Sequence, residues 1–234
     1  MTEPAVIAVD WSGARKTGLR SGIWLAVVRD GELVESRALL TREDAVAYLQ
    51  ACAPPLIAGF DFSFGVPEWF AREHECTTID EVWALAAREG EDWLAPTPPF
   101  WRERCAVPRE RRFRRCEARF PGAKSVFQLV GNGQVGAGSV RGMPLVAQLR
   151  ASGFTIWPFD GATERTVVEI YPTLLRKLAP HHDAGPWTNN HERDAVVPAR
   201  VMWDERETIA ALHAAIDPTH RLEGDIWAPT PPQS

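Results

Sequence analysis

The stretch that most constrains this chain is its first apolar run, Ala5-Val6-Ile7-Ala8-Val9, which ends in Asp10-Trp11-Ser12-Gly13. An uninterrupted β-branched and small apolar run reads as a strand buried on both faces. The carboxylate at its C-terminal end is costly there unless it is paired, hydrogen-bonded or bound to a cation. An Asx-turn closing the strand would also satisfy Asp10. The pattern recurs, however: residues 56–60 form a second short apolar run ending in Asp61, and residues 166–170 a third that carries Glu169.

The order of elements gives these acids a common geometry. Residues 22–28 and 33–39 read as strands joined by an Asp30-Gly31 hairpin turn. Thr41 is the expected N-cap of a helix that ends before Pro54-Pro55, with Asp44 in the capping-box position. The chain thus opens β-β-β-α-β, and the strand at 56–60 is expected to pair parallel with the first. Asp10 and Asp61 then stand side by side at the sheet edge where open α/β sheets place ligands. Two like charges so close call for a cation or a shared proton.

Between these strands and the third acid-bearing run lies a long helical stretch. Residues 68–75 and 80–89 have helical apolar spacing, and Pro96, Pro98 and Pro99 mark a break after them. The run 102–124 holds eight Arg and Lys124 against Glu103, Glu110 and Glu117, a net charge of +6 in a chain whose total is -5. Such asymmetry points to a polyanion site. Residues 124–130 read as extended, and Gly131 to Ser139 as a glycine-rich loop without the closing residues of a Walker motif. Its backbone amides, Arg141 and a helix starting near Pro144 form a candidate phosphate cradle. Residues 154–159 read as extended, 173–178 as a short helix, and 204–216 as a longer one. His181-His182-Asp183 reads as a surface loop. Asn189 or Asn190 caps a helix carrying Asp194, which Pro198 is expected to kink or restart.

Collected, these features resemble the ribonuclease H-like fold. More closely they resemble the predicted ribonuclease H-like nucleases grouped as domain of unknown function 429. The motifs are Val9-Asp10-Trp11-Ser12-Gly13, Asp61-Phe62-Ser63-Phe64-Gly65-Val66-Pro67, Glu169-Ile170-Tyr171-Pro172, Glu192-Arg193-Asp194-Ala195 and Glu223-Gly224-Asp225-Ile226-Trp227. The resemblance implies an α/β, ribonuclease H-like mixed five-stranded sheet flanked by helices, with a large, mostly helical insertion after the fourth strand. Residues 1–65 and 166–234 would form the core and 66–165 the insertion.

The activity implied is divalent-metal-dependent hydrolysis of phosphodiester bonds in nucleic acid. Asp10, Asp61, Glu169 and Asp194 would be the acids around two Mg²⁺ or Mn²⁺ ions ~3.5–4 Å apart. Asp10 would bridge, Asp61 and Asp194 would each hold one ion, and Glu169 would ligate or orient water. Ser12, Arg111, Arg112, Arg114, Arg115, Lys124 and Arg141 would contact the nucleic-acid backbone. Two other classes fit parts of the pattern: a non-catalytic relative binding nucleic acid or a partner protein, and a phosphotransferase of the sugar-kinase and actin type. Cys52, Cys76, Cys105 and Cys116 lack paired CxxC spacing and read as reduced thiols of a cytoplasmic protein, in preference to a zinc site of His74, Cys76, Cys105 and Cys116. The N-terminus shows no signal-peptide pattern and no apolar run reaches the length of a membrane span.

Overall fold

The computed structural model describes residues 2–15, 22–95, 97–103, 105, 107–120, 122–131 and 135–229. Pro96, Arg104 and positions 132–134 of the glycine-rich stretch lie outside the described residues. In chain order the elements are β1 (Ala5–Asp10), β2 (Trp24–Arg29), β3 (Glu32–Ala38), α1 (Arg42–Ala51), β4 (Leu56–Phe60), α2 (Glu68–Glu73), α3 (Ile79–Trp93), α4 (Arg115–Arg119), α5 (Val135–Ala151), β5 (Thr155–Ile156), β6 (Arg165–Glu169), α6 (Pro172–Leu178), α7 (Asn190–Asp204), α8 (Arg206–Ala210) and α9 (His220–Glu223). The protein is α/β, with a mixed sheet ordered β3-β2-β1-β4-β6-β5 and helices on both faces.

The hairpin forms because Asp30 and Gly31 both adopt positive φ, the geometry that matches the twist of its flanking strands. From β1 outward the pairing changes sense: β2 is antiparallel to it, whereas β4 is parallel to it and β6 parallel to β4. The sheet has six strands rather than five. The extra one is the two-residue β5, part of the expected extended stretch, which pairs parallel with β6 at the edge.

Alternation along β1 divides the core. Ala5, Ile7 and Val9 face one apolar layer with α1, α3 and α5; Val6 and Ala8 face the other with α7. The stretch 66–165 builds no core of its own. Val82, Trp83, Val140, Met143 and Val146 pack in the same apolar layer as the β1 and β4 side chains, so the insertion is one cover of the sheet.

Helix boundaries correct several expectations. Thr41 and Asp44 make the capping box anticipated for α1, with both bonds present. Helix α5 begins at Val135 and runs through Pro144, so Gly136, Gly138 and Gly142 are helical rather than part of a phosphate loop. Close packing explains the glycines: a Cβ on Gly142 would lie 2.4 Å from the Phe62 ring, and one on Gly136 2.5 Å from the Val126 carbonyl oxygen. Helix α7 continues through Pro198 without restarting, the ring being buried in the α7 layer. Residues 124–130 make only an isolated bridge, Gln128 to Trp101. The helix expected over 204–216 is short, because beyond α8 the backbone bonds to neighbouring loops instead: Ala162 N–H donates to Leu212 and Ala215 N–H to Pro158. No helix of the described residues is long and apolar enough to cross a membrane.

Candidate active site

Register decides which acids meet. Val9 stands opposite Phe60, so Asp10 and the first residue beyond β4, Asp61, come level at the C-terminal ends of adjacent parallel strands. Both share the parity of the residues facing α7. Phe60, in turn, stands opposite Glu169. A one-residue offset in a strand reverses the face, so within the sheet Glu169 shares the parity of Phe60, although at the strand ends Asp61 and Glu169 border one cleft.

Asp10 is 6% exposed. Its Oδ2 lies 2.7 Å from His191 Nδ1 at the start of α7. Asp61 is half-buried and accepts the Trp11 backbone N–H through Oδ1 at 2.6 Å. The two carboxyls act on each other directly, and the titration of each is raised in the other's presence by burial. Burial pushes the Asp10 pKa well above the ordinary 3.8, while the bond from Asp61 and the charge of Arg176 oppose it. Burial and then the Asp10 charge raise that of Asp61. This is an acid pair held where water solvates it poorly.

Asp194 is on the same helix and face as His191, one turn later, and ion-pairs with Arg176 of α6. Arg176 therefore stands near both Asp10 and Asp194. His191 and Arg176 lie outside the set of site residues expected from the sequence. A usable signal existed for His191 alone: it precedes Asp194 by three residues, a spacing that shares a helix face.

Glu169 belongs to a separate buried network. Arg114, 0% exposed, engages both its carboxylate oxygens, with Arg114 Nη1 2.9 Å from Glu169 Oε2. Arg114 also donates to Glu117 and to the Glu223 carbonyl, each at 2.9 Å, and the Phe64 N–H donates to Glu169 at 2.9 Å. Burial raises the Glu169 pKa against the opposing pull of Arg114. Hence Glu169 does not join the acid pair, and Arg114 is no surface group for a polyanion. Among the described residues the four acids do not form a set of ligand atoms within 4.8 Å of one another.

The rest of the expected binding set is dispersed. Arg111 pairs with Glu73 at 2.5 Å and stacks on Trp69, and Arg115 pairs with Asp217 at 3.2 Å. Arg112 donates to the Val107 carbonyl at 2.7 Å. Arg141 pairs with Glu91 at 2.6 Å and bonds the Gly13 carbonyl, while Arg42 donates to Ser12 and Ala14 carbonyls at 3.0 and 2.9 Å. These guanidiniums hold the loop after β1. Ser12 Oγ accepts from the Ala14 N–H within that loop. Lys124 differs: it is exposed and lines a small cleft together with Asp61, Ser63, Glu169 and Tyr171.

The donor chemistry of the acid pair suits one hard divalent cation. Two aspartate carboxylates at an open sheet edge supply oxygen ligands of the kind Mg²⁺ and Mn²⁺ take while keeping several waters. Such an ion would take the place of the protonation that burial favours at the pair. Cys52, Cys76, Cys105 and Cys116 are free thiols, and they form no metal-ligand cluster with His74 among the described residues. Comparison with protein-family models, curated proteins and solved structures returns no match.

Proposed function

We propose that the protein is a divalent-metal-dependent nuclease with a ribonuclease H-like core. The observation that carries this reading is the Asp10–Asp61 carboxyl pair at the level ends of two parallel strands. The hairpin-linked trio followed by a helix and a parallel strand supports the fold assignment. On this reading Asp10 and Asp61 hold one Mg²⁺ or Mn²⁺, and Glu169 lies outside the ligand set because Arg114 already engages both its oxygens. A bound cation of this type shields phosphate charge and acidifies a water molecule. The chain's own residues do the rest. The Trp11 N–H orients the Asp61 carboxyl, His191 orients Asp10, and Lys124 on the cleft rim holds a phosphate oxygen.

Cleavage assays with Mn²⁺ on single-stranded, duplex, hybrid and branched substrates test this directly. Wild type is expected to cut at least one class, and Asp10→Asn and Asp61→Asn to cut none. A non-catalytic nucleic-acid or partner-binding protein is the second reading, favoured by the pairing of Arg111, Arg115 and Arg119 with acids of the same chain. Mn²⁺ binding without cleavage of any substrate would select it.

A further inference from the structure

At the far end of α7 from Asp10, three side chains of metal-ligating type come together. His181 and His182 lie in the 3-10 turn Pro180–Asp183, with ring centroids 4.2 Å apart and planes tilted by 44°. His182 Nε2 is 2.7 Å from Oδ2 of Asp204, the last residue of α7. One ligand atom from each of the three lies within 4.8 Å of the other two.

Two further features favour a cation here. Asp204 places a negative charge at a helix C-terminus, where the macrodipole is already negative, and the last turn of α7 has no basic residue. The next cation along the chain, Arg206, is engaged by Glu3 at 2.6 Å and by the Trp203 carbonyl, and acts on Asp204 through its charge without pairing with it. The turn is also held independently: Asp183 pairs with Arg193 of α7, its Oδ1 2.6 Å from Arg193 Nε. The ligands are thus preorganised without the metal.

We infer that His181, His182 and Asp204 form a second metal site, selective for Zn²⁺ and its borderline neighbours rather than Mg²⁺. Two imidazoles and a carboxylate, with a fourth position open to water, are a zinc-type donor set, whereas Mg²⁺ prefers oxygen ligands throughout. The site is separate from the acid pair. His191 and Asp204 are thirteen residues apart on one helix, about 20 Å at 1.5 Å per residue. Bound metal would staple the turn after α6 to the end of α7. Those two helices carry Arg176, His191 and Asp194, so the staple stiffens the layer that faces Asp10.

The test is a Zn²⁺ titration against a chromogenic chelator, on full-length protein carrying Asp10→Asn and Asp61→Asn so that the acid pair does not contribute. One equivalent is expected to bind, and thermal unfolding to shift upward with it. Adding His181→Ala, an exposed position, should weaken binding at least about tenfold and abolish the shift. Asp204→Asn should weaken binding in the same way, and Mg²⁺ should not compete. Absence of zinc binding, or equal affinity after His181→Ala, overturns the site. Loss of all zinc binding through the Asp10 and Asp61 substitutions, with wild type binding one equivalent, overturns it as well.

Discussion

Asp10 and Asp61 have opposite values for stability and for function. Each is costly to ionise where it stands: burial favours the protonated form of both, and the Asp10 charge adds to this at Asp61, whereas Asp61 and Arg176 partly offset it at Asp10. The metal-free native state therefore holds more protons than the unfolded chain above the ordinary aspartate value of 3.8. Stability from this pair is fully present below that value and is lost as pH rises through the raised native pKa values. Asp10→Asn removes the repulsion while leaving groups able to bond His191 and Asp61. It should leave the metal-free protein as stable or raise it by up to about 2 kcal/mol, measured by urea unfolding at pH 7 in chelator. The same change should weaken Mn²⁺ binding strongly. A structural aspartate would show the reverse, with stability falling and Mn²⁺ affinity untouched. Because the ion displaces a proton, wild-type Mn²⁺ affinity should also rise with pH. Calorimetry in buffers of different ionisation enthalpy would detect the proton released, and a binding constant flat with pH would contradict a protonated pair.

At the scale of elements, the Arg114 network is what ties the insertion to the sheet. Arg114 precedes α4, Glu169 ends β6, Glu223 ends α9, and Ser63 follows β4 with its Oγ donating to Glu117. Removing the guanidinium leaves Glu169 and Glu117 buried without their counter-ion, so Arg114→Met should cost ~3–5 kcal/mol in denaturant unfolding. Adding Glu169→Gln should recover part of that loss, a coupling that a double-mutant cycle measures. Additive losses would show that the pair is not coupled. This network also shows what the sequence could and could not reveal. The level ends of β1 and β4 were legible, since two short apolar runs closed by aspartate and separated by a hairpin and a capped helix leave few topologies. The face of Glu169 was not. Its strand is legible from the β-branched run, but its side depends on a one-residue register with Phe60 that no local pattern encodes. Likewise Arg114 looks in sequence like any arginine of its basic run, and only the fold selects it for the interior. The glycines of α5 misled for a related reason: loops and close-packed helices both need residues without a Cβ.

For the molecule as a whole, charge is arranged differently from its distribution along the chain. The +6 of the run 102–124 is largely consumed internally, since Arg111, Arg114, Arg115 and Arg119 each face a carboxylate from another part of the fold. The exposed pairs of Arg111, Arg115 and Arg119 contribute only ~0–1 kcal/mol each to stability, but they reduce the field available to a polyanion. A phosphate backbone approaching Asp61 meets Lys124 on the same cleft, with no ion pair to it among the described residues. Lys124→Glu should therefore weaken nucleic-acid binding more than Arg111→Glu or Arg115→Glu, although all three make the same change in net charge. The loss should be similar across sequences, and the salt slope should fall by about one for the phosphate contact removed. Filter binding over a range of salt concentrations reads both quantities. Equal effects from the three reversals would mean that the protein senses only total charge, and the cleft beside Asp61 would lose its claim to the substrate.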